Sequence, residues 1–278
     1  MRIDTHIHFW NFDKNKHSWI GNEMKSLRED YLPEHIQTSF KRNGINGCIA
    51  VEASATEWET HFLVELAKTH SIIKGVVGWV DLQAGNAEER IEYFSQFNII
   101  KGWRFRWDES NPDQMFDPGI GKGLSFLNDK GYCIELFIQP HQITKAVELA
   151  TAYPQTVFIL DHAGKPDIRH RELSGWAGSI KEIARCPNVY CKLSGFLTLA
   201  KWKDWSAGDF YPFLDVLFGS FGVERLLFGS DWPVITLSGI YVQWVSLLEK
   251  YMEGLPVEDR DKVFGVNAVK VYRLENLA

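Results

Sequence analysis

The sequence is poor in cysteine and has no excess of basic residues. Its 278 residues include 4 cysteines, Cys48, Cys133, Cys186 and Cys191, with no Cys-x-x-Cys pair among them. This pattern is not that of a disulfide framework or a zinc ribbon, so we expect buried, reduced thiols in a cytoplasmic protein. Lys and Arg number 30 against 36 Asp and Glu, which gives a net charge of −6. We therefore expect no nucleic acid among the partners.

Long apolar segments and a dinucleotide-binding motif are also missing. The sequence has no run of 18 apolar residues, so we expect neither a transmembrane helix nor a membrane partner. The predicted strand that starts at Ile3 contains polar residues at intervals, so we expect no signal peptide. No Gly-x-Gly-x-x-Gly follows an early strand, and no organic cofactor is expected. The composition indicates one globular domain, residues 1–278, that acts on a small molecule, with a homodimer as one candidate assembly.

Eight short apolar segments predict eight β-strands, and segments with helical periodicity lie between them. In Thr56–His70, for example, Trp58, Phe62 and Leu66 fall on one stripe. The predicted strands are Ile3–His8, Gly47–Glu52, Gly75–Leu82, Ile99–Trp107, Tyr132–Gln139, Thr156–His162, Asn188–Ser194 and Arg225–Ser230. The predicted helices are Glu34–Arg42, Thr56–His70, Ala87–Phe97, Gly123–Lys130, Gln142–Tyr153, Leu173–Ala184, Phe210–Gly219, Tyr241–Tyr251 and a last one after Pro256. This alternation predicts an α/β fold, a (β/α)8 TIM barrel, with an open doubly wound sheet as the alternative.

Polar side chains stand where the predicted strands end. A barrel brings the carboxyl ends of all its strands to one mouth, which is where active sites of this fold lie. His6 and His8 are two residues apart, so a strand projects them from the same face, as it does Arg104 and Arg106. The polar residues at strand ends are His6, His8, Arg104, Arg106, Asp161, His162, Lys192, Ser194, Ser230 and Asp231. The irregular segments Asn11–Leu32 and Trp107–Lys122 follow strands one and four and are candidate lids.

These residue types favour hydrolysis. Three imidazoles and a carboxylate, from His6, His8, His162 and Asp231, could hold one divalent ion, zinc first, with an open position for water. Asp231 could accept the proton of the attacking water. Without a metal, the same histidines and Arg104 could stabilise an oxyanion. The residues alone leave both versions open.

Several segments form a set that is specific when taken together. They are Asp4-x-His6-x-His8-Phe9-Trp10, Trp19, Glu59-Thr60-x-x-Leu63-Val64-Glu65-Leu66-Ala67, Lys101-Gly102-x-Arg104, Asp161-His162-x-Gly164-Lys165-Pro166, Lys192-Leu193-Ser194-Gly195, Phe228-Gly229-Ser230-Asp231-Trp232-Pro233 and Asn267-Ala268-x-x-x-Tyr272. Together they resemble the amidohydrolase superfamily, and more narrowly its amidohydrolase-related branch of sugar-acid and pyrone lactonases. The resemblance runs the whole length of the chain.

The resemblance implies an enzyme that opens a small sugar-acid lactone of the L-fucono-, L-rhamnono- or galactono-lactone type. It implies Asp231 as general base, with His162 and Arg104 as further catalytic residues. The metal ligands, if a metal is bound, would be His6, His8, His162 and Asp231. The substrate-binding residues would be Arg104, Arg106, Glu52, Trp10, Trp19 and Trp232. The roles of Glu135, Lys192 and Ser194 stay open.

The chain departs from the wider superfamily at strand five. Tyr132–Gln139 carries no histidine, and no bridging lysine ends strand four, so we expect one metal ion at most. One alternative is a lactonase for 2-pyrone-4,6-dicarboxylate or a muconolactone, whose carboxylates would need pocket cations such as Arg106 and Lys165. A metal-dependent decarboxylase of the same superfamily and a non-catalytic binding barrel rank lower. A non-catalytic barrel is expected to lack at least one catalytic group, whereas His6, His8, His162 and Asp231 are all present.

Overall fold

The computed structural model describes residues 1–274, and its centre is one sheet of eight parallel strands. The strands follow each other in chain order around the sheet, and each pairs with the next. They are β1 (Ile3–Ile7), β2 (Gly47–Val51), β3 (Ile73–Gly78), β4 (Ile100–Arg106), β5 (Cys133–Phe137), β6 (Phe158–Leu160), β7 (Val189–Leu193) and β8 (Leu226–Phe228). All-parallel strands joined by helices confirm the predicted (β/α)8 barrel.

Helices connect successive strands and cover the outside of the sheet. They are α1 (Pro33–Arg42), α2 (Glu57–Thr69), α3 (Ala87–Ser95), α4 (Pro118–Lys130), α5 (Ile143–Ala152), α6 (Ser174–Ile183), α7 (Phe196–Leu199), α8 (Ala207–Phe221), α9 (Tyr241–Tyr251), α10 (Val257–Asp261) and α11 (Asn267–Val271). A π-helical turn, Lys262–Val266, joins the last two. In the part of the chain that the structure describes, no helix is long and apolar enough to cross a membrane.

The ends of β1 and β8 close the barrel. The backbone N–H of His8 donates to Trp232 O at 2.8 Å, and that of Asp231 donates to His6 O at 2.9 Å. The Thr5 hydroxyl adds a bond to Phe228 O at 2.8 Å. These bonds involve or adjoin the two histidines and the aspartate of the sequence motifs. The contacts that close the barrel therefore also position those three residues.

Two of the predicted strands were placed or sized wrongly. The prediction Gly75–Leu82 is replaced by Ile73–Gly78, and the chain leaves the sheet at Trp79. The prediction Thr156–His162 shrinks to Phe158–Leu160, because the chain enters a left-handed turn at His162, with φ of 49°. The apolar run alone did not reveal that break. The helix predicted from Gly123 begins earlier, at Pro118, which suits the first turn of a helix.

The apolar core has an outer and an inner layer. The outer layer packs the sheet against the surrounding helices. The inner layer joins alternate strand residues, such as Ile49, Val77 and Leu227, to Ala268 and Tyr272 at the end of the described chain. Side chains on successive strand positions alternate between these layers. The C-terminal segment thus packs against the amino ends of the strands, and the opposite end is left for the site.

The segment Asn11–Leu32 after β1 packs against helix α2, where two buried polar side chains face each other. His17 Nε2 lies 4.0 Å from Glu59 Oε2, and both side chains are fully buried. Glu59 Oε1 accepts a bond from the N–H of Ala53 at 3.1 Å. Burial raises the pKa of Glu59 to about 8 and lowers that of His17, so the pair is neutral near pH 7. The contact between the segment and helix α2 is therefore one between neutral groups.

Glu59→Gln should gain stability over the wild-type chain as the pH rises from about 5 to about 8. The pKa of Glu59 is about 8 in the folded chain against 4.5 ordinarily, so the folded state binds a proton that the unfolded state has released. The stability of the wild-type chain therefore falls with rising pH in this range, whereas glutamine has no proton to lose. Melting temperatures measure the effect. Glu65→Gln, exposed on the same helix, is the control, and equal shifts in both variants would contradict the assignment.

Candidate active site

A cavity of about 270 Å³ opens at the carboxyl ends of the strands, as expected for this fold. Its wall combines basic, imidazole and carboxylate groups with apolar and aromatic ones. The lining residues are His8, Trp19, Ala53, Arg104, Arg106, Phe137, His162, Lys165, Gly195, Thr198, Leu199, Asp231 and Val234. Trp19 belongs to the segment Asn11–Leu32, so that predicted lid does reach the cavity.

His6, His8 and Asp231 converge at the base of this cavity. His6 Nε2 and His8 Nε2 are 3.2 Å apart, and Asp231 Oδ1 lies 3.9 Å and 3.5 Å from them. His8 Nδ1 lies 2.8 Å from Val51 O, and a carbonyl oxygen can only accept, so the proton is on Nδ1. The Nε2 lone pair of His8 is therefore directed at the cluster.

The carboxylate of Asp4 fixes the backbone around these groups. The N–H groups of His6 and Ser230 donate to Asp4 Oδ1 at 3.1 Å and 2.9 Å, and the Tyr241 hydroxyl donates to Oδ2 at 2.8 Å. Burial raises the pKa of Asp4 to about 6. Asp231 itself has a left-handed φ of 63°, a conformation that costs a non-glycine residue about 1–3 kcal/mol and is typical of functional positions.

Burial determines the protonation of the site's titratable groups. It lowers the pKa of His6, His8 and His162 well below the usual value, so the three imidazoles are neutral at pH 7. It raises the pKa of Asp231 well above the usual value. Neutral imidazoles are ligands or hydrogen-bonding groups, and a carboxylate with a raised pKa is a better proton acceptor.

His162 is positioned by a turn in which the backbone is left-handed throughout. The φ angles of His162, Ala163, Gly164 and Lys165 lie between 49° and 66°. The turn directs both His162 and Lys165 into the cavity, and His162 Nδ1 lies 2.9 Å from the hydroxyl of Ser194. Ser194, whose role the sequence left open, therefore orients the His162 ring.

A chain of buried charges lies beneath the cavity. Glu52 Oε1 is 2.8 Å from Arg104 Nε, and the other side of Arg104 is 3.7 Å from Asp161 Oδ2. Asp161 Oδ1 is 3.2 Å from Lys192 Nζ, which lies 2.6 Å from Glu135 Oε2. Burial alone would lower the pKa of Arg104, but the carboxylates of Glu52 and Asp161 hold it above its usual value. We call these five residues the charge chain.

The charge chain reaches the histidine cluster at His6. His6 Nδ1 lies 3.1 Å from Lys192 Nζ and 3.5 Å from Asp161 Oδ1. Tyr272, from the C-terminal segment, donates its hydroxyl to Glu135 Oε1 at 2.6 Å. Burial raises the pKa of Glu135 to about 7. Lys192 and Glu135 thus support the site from inside the barrel.

The structure brings most of the sequence-predicted site residues together, but not all of them line the cavity. His8, Arg104, Arg106, His162, Asp231 and Trp19 do so. Glu52 lies behind the two arginines, and His6 behind His8. Trp10 packs against Trp19 and donates to Glu29 O, and Trp232 packs against Phe9 and Tyr31. Trp10 and Trp232 therefore support the cavity wall from behind and do not line it.

Sequence reasoning left Asp4, Asp161 and Glu135 without a role. Each is a charged residue in or beside a short apolar strand, and charged residues are rarely buried without a partner. That signal was present for Glu135 and Lys192, which stand alone in two apolar strands. The presence of these charged residues does not show which of them contact each other, because neighbouring positions on a strand point to opposite faces.

The model for the family described as amidohydrolase matches residues 3–274 of this chain. The chain belongs to the amidohydrolase family. The resemblance seen in the sequence motifs is thereby confirmed.

Relatives of this amidohydrolase have named activities. It is 33% identical over 286 residues to an L-fucono-1,5-lactonase of Burkholderia multivorans, covering 99% of this chain and 96% of the relative. It is 24% identical over 234 residues to an L-rhamnono-gamma-lactonase of Scheffersomyces stipitis, covering 73% and 70%. A crystal structure of an amidohydrolase from Burkholderia multivorans with bound zinc matches with a TM-score of 0.94 and 33% identity, covering 98% of this chain and 99% of that one.

The donor atoms of this amidohydrolase fit a single metal ion. Ligand atoms of His6, His8 and Asp231 all lie within 4.8 Å of one another, and those of His6, Asp161 and His162 form a second such group. The first group is the better fit, because the tautomer of His8 is fixed with Nε2 free. For His6, Nδ1 accepts from the Lys192 ammonium at 3.1 Å, so the ring proton is on Nε2 and an ion bound there would displace it.

Gly195→Ala should displace His162 and lower the hydrolytic kcat/KM at least about tenfold. Gly195 has a φ of 74°, and a methyl group there would lie 2.8 Å from His162 Nδ1. Gly44→Ala is the matched control, since Gly44 has a φ of 64° and the atom nearest to the added methyl group, Arg2 Cδ, is 4.0 Å away. Both variants should lose about 1 kcal/mol of stability from the left-handed backbone. Melting curves and rates separate the two effects, and equal activity of both variants would refute the positioning argument.

Proposed function

We propose that this amidohydrolase hydrolyses the ring ester of a neutral sugar-acid lactone, of the L-fucono-, L-rhamnono- or galactono-lactone type. Hydrolysis of a lactone, a carboxylic ester, is also the activity named for its relatives. The observation that carries the proposal is the mouth of the barrel, where Asp231 and a histidine cluster face two arginines across one small cavity. A cavity of this size suits a single sugar ring.

The charge balance of the cavity favours a neutral ring over a dicarboxylate. Three basic side chains line it, but Arg104 and Arg106 are both paired with Glu52. Among residues 1–274, Lys165 is the basic lining residue without an ion pair. A 2-pyrone-4,6-dicarboxylate brings two carboxylates, which need at least two unpaired cations. The hydroxyl groups of a sugar lactone need donors and acceptors instead of net charge.

The chemical step is the attack of water on the lactone carbonyl. Asp231 accepts the proton of the water as the new carbon–oxygen bond forms, and it delivers that proton to the ring oxygen as the ring carbon–oxygen bond breaks. The product is the open hydroxy acid. Desolvation in the buried mouth raises the pKa of Asp231, which favours its role as proton acceptor.

The other lining residues bind and orient the lactone. The guanidinium of Arg104 is held rigidly by Glu52 and Asp161, so its N–H groups are preorganised to receive the oxyanion that forms on the carbonyl oxygen. His162, oriented by Ser194, offers its remaining ring nitrogen to the same region. Trp19 and Phe137 provide apolar walls for the C–H face of the sugar ring.

His6, His8 and Asp231 are the residues that would hold a divalent ion, and two imidazoles with a carboxylate are a zinc-type donor set. When bound, the ion supplies Lewis acidity, which polarises a carbonyl and makes water more acidic. The missing histidine on β5 argues for one ion and not two. Arg104 remains the group that binds the substrate oxygen.

Asp231→Asn should reduce kcat by roughly a thousandfold or more, because it removes the proton acceptor and little volume. The assay is proton release from a panel of aldonolactones, with a pyrone dicarboxylate included, measured above the uncatalysed background. Asp129→Asn, on the exposed side of α4, is the control. If the variant at Asp231 keeps near-normal kcat, the mechanism is wrong. If the wild-type protein hydrolyses no aldonolactone, the proposed function is wrong.

His8→Ala should lose zinc that the wild-type protein retains, at about one ion per chain. Elemental analysis after purification measures this without an activity assay. His141→Ala is the matched control, because His141 is exposed beyond the end of β5 and bonds to Glu109 O. Equal zinc contents in the two variants, or none in the wild type, would count against the assigned ligands.

A further inference from the structure

We infer that Glu52 determines the charge of the substrate, by occupying the two arginines that would otherwise bind a carboxylate. The inference rests on the proposed lactonase function, because it concerns which lactones the same cavity accepts. It assigns to Glu52 a specificity role that acts through Arg104 and Arg106, since Glu52 itself lies behind the cavity wall and does not line it.

Glu52 is built into the site as a fixed counter-charge. It is the first residue after β2, and its side chain is completely buried. Its Oε1 lies 2.8 Å from Arg104 Nε, and its backbone carbonyl accepts a further bond from the same guanidinium. Its Oε2 lies 3.2 Å from an Nη of Arg106, which also donates to Ala53 O at 3.0 Å. One carboxylate therefore engages both guanidinium groups.

The neighbouring groups leave no spare positive charge on the two arginines. Arg104 faces a second carboxylate, Asp161, at 3.7 Å. Glu59, the next acidic group, is neutral near pH 7 because burial raises its pKa to about 8. The arginine pair is thus already neutralised by Glu52 and Asp161. A substrate carboxylate placed against the arginines would meet the Glu52 carboxylate just behind them.

The arrangement of Glu52 and the two arginines discriminates between acidic and neutral lactones by repulsion as well as by attraction. Guanidinium groups bind carboxylates through a planar fork of donors, and here much of that fork is directed at Glu52. The remaining N–H groups can still donate to neutral hydroxyl and carbonyl oxygens. Specificity of this kind needs an unfavourable contact with the wrong substrate, and Glu52 supplies it.

The test compares Glu52→Gln with the wild type on a matched pair of lactones. Galactono-γ-lactone and galactaro-γ-lactone differ by a CH₂OH group against a carboxylate. Glutamine keeps the shape of Glu52 and an acceptor for Arg104 Nε, while it removes the negative charge. We expect the ratio of kcat/KM for the acidic lactone to that for the neutral lactone to rise at least about tenfold, the usual effect of a hydrogen bond to a charged group.

Glu59→Gln is the matched control, because Glu59 is a buried acid of helix α2 that accepts a bond from Ala53, the residue after Glu52, and its carboxyl group is already neutral. It should leave the ratio unchanged. Arg106→Gln provides a second variant at a half-exposed position that does not endanger folding. It leaves Glu52 with one partner fewer, so the ratio should fall below that of the wild type.

The outcomes separate this inference from the proposed function. If the wild type hydrolyses neutral lactones and the ratio is the same in Glu52→Gln, the inference is overturned and the function stands. If the wild type hydrolyses no lactone, the function fails, and calorimetry with tartrate and threitol then decides the inference. Those two ligands differ by the same replacement, made at both ends of the molecule. A gain in tartrate affinity for Glu52→Gln supports the role of Glu52, and no gain refutes it.

Discussion

A chain of buried charges of alternating sign runs through the barrel, and the arrangement of the site depends on it. Glu52, Arg104, Asp161, Lys192 and Glu135 come from five different strands or strand ends, and each contacts the next. All five are buried, so removal of one member would leave an uncompensated charge at a cost of about 3–5 kcal/mol. The charge chain therefore holds the strand ends in position, and it determines how much positive charge faces the cavity.

The candidate catalytic groups lie next to the charge chain, and two of them have a left-handed backbone. Lys192 and Asp161 both contact His6, and the next residue after Asp161 is His162, where the backbone turns left-handed. Asp231 has the same unfavourable backbone, held by hydrogen bonds between β1 and β8. Strain of this kind persists only where the surroundings over-determine it. Rigid placement of these groups is what the proposed attack of water on an ester carbonyl requires.

The barrel and the location of its site could be predicted from the sequence, because short apolar segments alternate with segments of helical period eight times. His6, His8 and Asp231 could be found because strand ends meet at one mouth. The role of Glu52 as partner of Arg104 could not, since it requires knowing that the ends of β2 and β4 approach within bonding distance. The early end of β6 depends on the left-handed turn, which short apolar runs do not encode.

The most direct test of the account is hydrolysis of an aldonolactone in water enriched in oxygen-18. In the proposed mechanism, Asp231 accepts a proton from the water that attacks the lactone carbonyl carbon, and the ring oxygen leaves. This mechanism predicts one labelled oxygen in the carboxylate of the product and none in the hydroxyl group released from the ring. Label in that hydroxyl group, or no enzymatic hydrolysis above background, would contradict it.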